Sequence, residues 1–228
     1  MSFNNRYSGR PIRAIKDPES VVLKNSNGYY VNIATGNLTK DSSGNYYIAP
    51  ATDYGAYFSW GNTDGHRVAG QTDSYSFSSS NYQNTTGYGL SANYSSGNST
   101  YDAARARLGG NWWRIPTYDE WTWMLNNLTW TWKASGNSDY GVAGYEIKGS
   151  ASNSGKAFLP AAGYYNGTSL SDAGSLGYYW STGYYSSDYA CRLRFSSSNN
   201  KVDYYGVRYY GFSVRPIKDF YNGGPIYD

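Results

Sequence analysis

Tyrosine and glycine constrain this chain most: 28 of its 228 residues are Tyr and 27 are Gly, with 8 Trp but only 2 Met and 7 Pro. Broad aromatic side chains fit a pleated, half-buried surface and glycine supplies turns, so strands and loops are expected over long helices. With 39% hydrophobic and 15% charged positions the chain can bury one sizeable core, and a single domain is expected. Nineteen Lys and Arg against 16 Asp and Glu leave a net charge of +3, too small a surplus to imply a nucleic-acid or anionic-membrane partner.

Reactive residues are scarce. Cys191 is the one cysteine, which excludes an intrachain disulfide and any multi-cysteine zinc or iron–sulfur site. His66 is the one histidine, which excludes sites needing two imidazoles from one chain. No metal and no cofactor are expected. Nothing near Met1 combines a basic start, an apolar run and a small-residue cleavage site, and no stretch approaches ~18 apolar residues. A soluble chain without membrane insertion is expected, whether cytoplasmic, carried on a virion or matured by trimming.

Along the chain, Tyr29-Tyr30-Val31-Asn32-Ile33 and Asn45-Tyr46-Tyr47-Ile48 read as strands separated by turn residues, and Tyr57 to Asn62 as another alternation. Gln71 to Thr100, a tract of Ser, Asn, Tyr and Gly, reads as a long loop. Ser99-Thr100-Tyr101-Asp102 opens a short helix over Ala103 to Leu108, stopped by Gly109-Gly110. Thr117 and Glu120 form a capping box for a second helix, with Trp121, Met124, Leu125 and Leu128 on its buried face. Strands follow at Gly144 to Lys148, Ala157 to Pro160, Tyr178 to Trp180, Tyr189 to Phe195 and Phe212 to Ile217. This order predicts an α+β fold with antiparallel sheets. Residues 9–17 echo residues 211–219, sharing Gly, an aliphatic, Arg, Ile, Lys and Asp. Residues 1–46 are thus either a strand or hairpin segment of the same fold or the tail of a preceding repeat, ahead of a main domain over 47–228.

Trp112-Trp113-Arg114-Ile115-Pro116-Thr117-Tyr118-Asp119-Glu120-Trp121 resembles the Trp-Arg-Leu-Pro-Thr-x-x-Glu-Trp element of prokaryotic C-type-lectin-like domains, which the formylglycine-generating-enzyme branch shares. The runs Gly155 to Ala162, Gly174 to Thr182 and Tyr209 to Pro216 resemble gut Bacteroidales and phage variable proteins of diversity-generating retroelements. The resemblance covers Tyr57 to Lys218. It implies a C-type-lectin-like fold, with two short helices on small antiparallel sheets and long loops, and a variable-type region over about 181–215. It also implies substitution at adenines of Asn codons, which reaches Tyr, Ser, Asp, Gly, Cys, Arg and Val but not Lys, Glu, Gln, Trp or Met. Between Ser181 and Tyr210, Lys201 alone lies outside the reachable set. The implied protein is a non-catalytic adhesin-like display protein on a virion or bacterial cell surface, binding a protein or glycan on a host or neighbouring cell.

Two alternatives stand beside it: an enzyme of the formylglycine-generating type, and a structural fimbrial or tail subunit. The first is disfavoured because those relatives are thought to act through two cysteines. The Glu-Pro-Asn, Gln-Pro-Asp and Trp-Asn-Asp elements of calcium-dependent animal lectins are missing, so their sugar site cannot be carried over.

The residues themselves also point to the C-terminal window. Tyr184, Tyr185, Tyr189, Tyr204, Tyr205, Tyr209 and Tyr210 exceed the proportional share of tyrosine there, and with Ser, Gly and Asn around them they have the composition of an antibody paratope. The plainer reading is a low-complexity loop or aromatic sheet packing. Alternation puts Cys191, Leu193 and Phe195 inward and Ala190, Arg192 and Arg194 outward, with Val202 and Val214 as matching anchors. The expected ligand-binding set is Tyr184, Tyr185, Asp188, Tyr189, Arg192, Arg194, Asp203, Tyr204, Tyr205, Val207 and Tyr209. Cys191 is expected to be an inert buried thiol and His66 a surface loop residue. Asp119 and Glu120 carry no acid–base signal. Among the tryptophans near the second helix, Trp113, Trp121, Trp123 and Trp132 are expected in the core.

Overall fold

The computed structural model describes residues 19–94, 96–110 and 112–219. In chain order the elements are β1 (Ser20–Lys24), β2 (Tyr30–Ala34), β3 (Leu38–Lys40), β4 (Tyr46–Ile48), β5 (Tyr57–Phe58), α1 (Ser79–Tyr82), α2 (Ala103–Arg107), β6 (Trp113–Arg114) and α3 (Tyr118–Asn127). There follow β7 (Leu128–Lys133), β8 (Gly144–Gly149), β9 (Lys156–Pro160), β10 (Tyr164–Asn166), β11 (Ser169–Ser171), β12 (Gly177–Tyr184), β13 (Tyr189–Ser196), β14 (Asn199–Val207), β15 (Phe212–Ser213) and β16 (Ile217–Lys218). Few short helices and several small sheets make this an α+β fold, as the strand–helix–strand order predicts.

The sheets run β1-β2-β16-β6, β14-β13-β12-β15-β5 and β7-β8-β9, with hairpins β3-β4 and β10-β11. Ile217 pairs with both Ile33 and Arg114, so the C-terminal strand is hydrogen-bonded between an N-terminal strand and the strand leading into α3. The described part of the N-terminal segment is therefore woven into the fold; residues 9–17 of the echo lie outside the described residues.

Strand β12 positions everything else. Every residue from Gly177 to Gly183 is buried, because both faces of the strand are covered. Alternation sends Tyr179 into a core with Trp121, Met124, Leu193, Phe195 and Ile33, and sends Tyr178 and Trp180 into a second core with Phe58, Trp60, Trp113 and Phe212. The indoles also serve as clips: Trp121 Nε1 donates to the Trp180 carbonyl at 3.2 Å, Trp180 Nε1 to Phe58 at 2.6 Å and Trp60 Nε1 to Ser181 at 2.9 Å. A buried indole N–H left unpaired would be costly, so these bonds fix both register and depth.

The capping box at α3 is complete, with Glu120 N donating to Thr117 Oγ1 and Thr117 N to Glu120 Oε2. Glu120 also takes a bidentate pair from Arg114 at 2.6 and 2.7 Å, which ties the helix start to β6. Three expectations are corrected here. The helix stops at Asn127 and Leu128 begins β7, because Thr129-Trp130-Thr131-Trp132 prefers the pleat and pairs along β8. Residues 71–100 are not one long loop: α1 lies within them, and Phe77, Tyr82 and Tyr94 are buried anchors. The strand expected from Phe212 to Ile217 divides in two around buried Arg215, whose guanidinium donates to Asn37 Oδ1 and to the Ala34 and Phe158 carbonyls. Burial pulls this guanidinium down to about 10.

Candidate functional site

The C-terminal window forms the outer part of the five-stranded sheet, with β14 on its edge. Its inward residues are apolar or glycine. Leu193 and Phe195 fill the first core; Ala190, expected to face outward, is buried in the second because that face of the strand is covered too; and Gly206 leaves room for Trp180: a Cβ there would lie 2.6 Å from Trp180 Cζ3 and 2.9 Å from the Ala190 carbonyl oxygen.

Both arginines were expected to project; Arg192 does not. A register shift between Ala190 and Arg192 places Arg192 opposite Asp203, and Arg192 Nε donates to Asp203 Oδ1 at 2.9 Å, with the two side chains only 14% and 8% exposed. The guanidinium also lies over the Tyr178 and Phe212 rings at 5.0 and 5.5 Å. Burial raises the Asp203 carboxyl, but Arg192 and the bonds from Tyr205 and Lys201 outweigh it and hold the group below the ordinary carboxylate range. Arg192 and Asp203 thus form an internal cross-strand pair that ties β13 to β14. Arg194 is half-buried, with Nε 3.4 Å from the Tyr178 hydroxyl.

Five members of the expected set are exposed. Tyr185, Tyr189, Tyr204 and Tyr205 are 51%, 38%, 39% and 57% accessible, and Asp188 sits exposed in the β12–β13 turn. The tyrosines form one cluster: the Tyr185 ring lies 5.3 Å from Tyr204 and 5.9 Å from Tyr205, and Tyr189 lies 6.4 Å from Tyr205. Tyr184, Val207 and Tyr209 are half-buried and belong to the frame, Val207 pairing with Tyr189 across the sheet.

Two residues outside the expected set support this face. Tyr118, the first residue of α3, stacks on Tyr204 at 5.0 Å and 15°. Its hydrogen bond and then burial push the Tyr204 phenol up to about 12. Tyr118 is half-buried, and nothing in the sequence pairs it with Tyr204. Arg208 is 1% exposed and donates to the Gly87, Tyr88, Ser186 and Ser187 carbonyls and to the Tyr82 hydroxyl. It also lies 4.7 Å from the Trp60 ring and 5.5 Å from that of Tyr184. One buried side chain therefore clamps the turn that carries Tyr185 to the 82–88 segment.

Beside the cluster opens a cavity of about 380 Å³. Asn93, Tyr94 and Ser96 form one side, and Asn93 Oδ1 holds the Tyr184 amide at 2.7 Å. The start of α3 supplies Thr117, Tyr118 and Asp119; the sheet supplies Thr182, Gly183, Tyr184, Cys191 and Tyr204. Cys191 is buried, and burial followed by the Asp203 charge pushes its thiol up to about 11, which leaves it protonated and a poor nucleophile.

The remaining candidates fall away from this face. His66 is not a free surface residue: it pairs with Tyr57 across a β-bridge, stacks on Tyr75 at 3.7 Å and meets Asp73 at 3.3 Å. Trp113 and Trp121 are core residues; Trp123 and Trp132 are partly buried against the core. Among the described residues no group of three or more His, Cys, Asp or Glu side chains is placed to hold a metal ion, and no helix is long and apolar enough to cross a membrane.

Residues 132–217 match the family described as a domain of unknown function, DUF8237. No curated protein and no solved structure matches the chain. The family match ends at Ile217 in β16 and includes Tyr185, Tyr189, Tyr204 and Tyr205, while Tyr118 and the cavity residues Asn93, Tyr94 and Ser96 lie before it.

Proposed function

We propose that this protein is a non-catalytic binding protein of C-type-lectin-like fold, whose Tyr185–Tyr189–Tyr204–Tyr205 face recognises a protein or glycan on a host or neighbouring cell. In this reading the face is of the retroelement-diversified kind and the protein is displayed on a virion or bacterial surface. One observation carries the proposal: four exposed tyrosines gather on a sheet edge whose inward residues, ion pair and Arg208 clamp are all buried. Tyrosine gives large contact area at low rotamer cost, and a stiff frame limits the ordering cost of binding. Support for the fold comes from the Trp113 to Trp121 element, in which the Arg114–Glu120 pair, the Thr117 cap and the Trp121 anchor each have a structural task. The buried, protonated Cys191 favours binding over thiol chemistry.

The test replaces Tyr185, Tyr189, Tyr204 and Tyr205 together by Ser and compares the variant with the parent in cell-binding assays against candidate host cells. Binding falls by 100-fold or more, since interface tyrosines cost on the order of 2 kcal/mol or more when truncated, while the far-ultraviolet spectrum is unchanged. Retention of full binding by a folded variant would remove this face from recognition.

A further inference from the structure

A second cavity, of about 480 Å³, lies among the loops that follow β5 and shares no lining residue with the first. Three asparagines, Asn62, Asn81 and Asn84, and three threonines, Thr63, Thr85 and Thr86, make up most of its wall. The segments that carry them are held in place. His66 bridges to Tyr57, and Arg67 keeps a left-handed φ of 59°, uncommon for a residue with a Cβ, secured by its amide donating to Asp73 Oδ2 and its Nε to the Tyr75 carbonyl. On the other side Arg208 clamps the Gly87 and Tyr88 carbonyls.

Four of these side chains commit a proton inward. Asn81 Nδ2 donates to the Ser76 carbonyl at 2.8 Å and Asn84 Nδ2 to that of Ser80 at 3.3 Å, while Thr85 Oγ1 donates to Tyr82 at 2.8 Å and Thr86 Oγ1 to Gly61 at 2.9 Å. Each keeps an oxygen able to accept. Asn62 adds the opposite polarity: it is 8% exposed, its Oδ1 takes the Asp64 amide, and among the described residues nothing accepts from its Nδ2. Asp64, the one carboxylate of the wall, is paired with Arg107, and burial holds His66 below its ordinary 6.5 and therefore uncharged near pH 7. The Tyr75 ring, stacked on His66, contributes apolar surface.

We propose that this cavity binds one neutral pyranose ring of a glycan, a hexose or an N-acetylhexosamine, without a metal ion. A pyranose carries several hydroxyls that each donate and accept within the span of a single ring, which matches a wall of acceptor oxygens with one unused amide donor, and its C–H face suits the tyrosine. A free metal cation would have to compete with Arg107 for Asp64, a carboxylate or phosphate would meet mostly acceptors, and an apolar ligand would strand the amides and hydroxyls. A peptide segment brings one backbone donor per residue, too few for this wall. The site lies outside the C-terminal window and goes beyond the tyrosine face, which it does not need.

The experiment titrates the full, isotope-labelled chain, with chelator present, with the methyl glycosides of glucose, galactose, mannose and N-acetylglucosamine, following the backbone amides of Asp64, Asn84, Thr85 and Thr86 by NMR. The controls are tetrahydropyran, the ring without hydroxyls; glucosamine and glucuronate, which add a charge; and N-acetylglycine methylamide, a peptide unit. At least one neutral glycoside gives saturable shifts within 62–66 and 75–87, with a Kd on the order of millimolar, appropriate to so few atoms. Asn84→Ala/Thr86→Val removes two acceptors and weakens this about tenfold or more. Both residues are exposed, and an otherwise unchanged amide spectrum checks that the variant folds; if it does not, Asn84→Ala alone gives a loss of about threefold or more. Absence of saturable shifts with all four glycosides, equal binding of tetrahydropyran, tighter binding of a charged sugar or of the peptide unit, or full binding by the folded variants would each overturn the proposal. Replacement of Tyr185, Tyr189, Tyr204 and Tyr205 by Ser leaves the shifts in place, since none of these residues lines this cavity. Loss of the shifts in that variant would assign the sugar to the tyrosine face and overturn the proposal as well.

Discussion

Arg208 shows how one residue can hold a surface without being part of it. Its five acceptors come from two stretches of chain, the 82–88 segment and the turn at 186–187, and none is a carboxylate. Arg208→Met strands several buried carbonyls and should cost about 3 kcal/mol or more in chemical denaturation. Arg208→Lys should recover little of this, because three donors on a flexible stem cannot span the fork's five acceptors. Trp121→Ala should cost on the order of 3 to 5 kcal/mol, as truncation of a fully buried aromatic does. A loss under about 1 kcal/mol would contradict the placement of Trp121 as the anchor of α3.

At the scale of elements, the β13–β14 hairpin is shaped by what it lacks. Gly206 permits the sheet to close on Trp180, so Gly206→Ala should lower stability by about 1 to 3 kcal/mol through overpacking, measurable as a shift in denaturation midpoint. The β5 region makes a different prediction. Burial lowers the His66 pKa below its ordinary 6.5, outweighing the Asp73 carboxylate that raises it. The folded state then binds this proton less tightly than the unfolded chain, so the stabilisation is full above about pH 6.5 and is lost as pH falls through the folded value. His66 is the sole histidine, and the difference in midpoint between the parent and His66→Gln should therefore change between pH 7 and pH 5.5, in the direction of a weaker parent at the lower pH. A difference independent of pH would refute it.

These elements also show what local sequence can carry. The Thr117–Glu120 box and the inward Leu193 and Phe195 were legible because caps and alternation are local rules. Arg192 was misplaced because a register shift, invisible to strict alternation, set it opposite Asp203. The Tyr118–Tyr204 stack and the Arg208 clamp were beyond reach for a related reason: their partners are distant in sequence and meet only through tertiary packing.

For the whole molecule, β12 divides two cores and the C-terminal window is built against both, so this window must satisfy packing and display a surface at once. A metal plays no part in this account; the thermal unfolding midpoint should be the same with and without chelator, and a fall of many degrees would contradict that. Frame and face are separable within one stretch of chain. The most direct measurement of this separation is a proteolytic-stability scan of all single substitutions from residue 181 to 215. Tolerance within about 0.5 kcal/mol is expected at Tyr185, Asp188, Tyr189, Tyr204 and Tyr205, beside losses above about 2 kcal/mol at Leu193, Phe195, Asp203 and Arg208. Equal sensitivity at both groups of positions would contradict it.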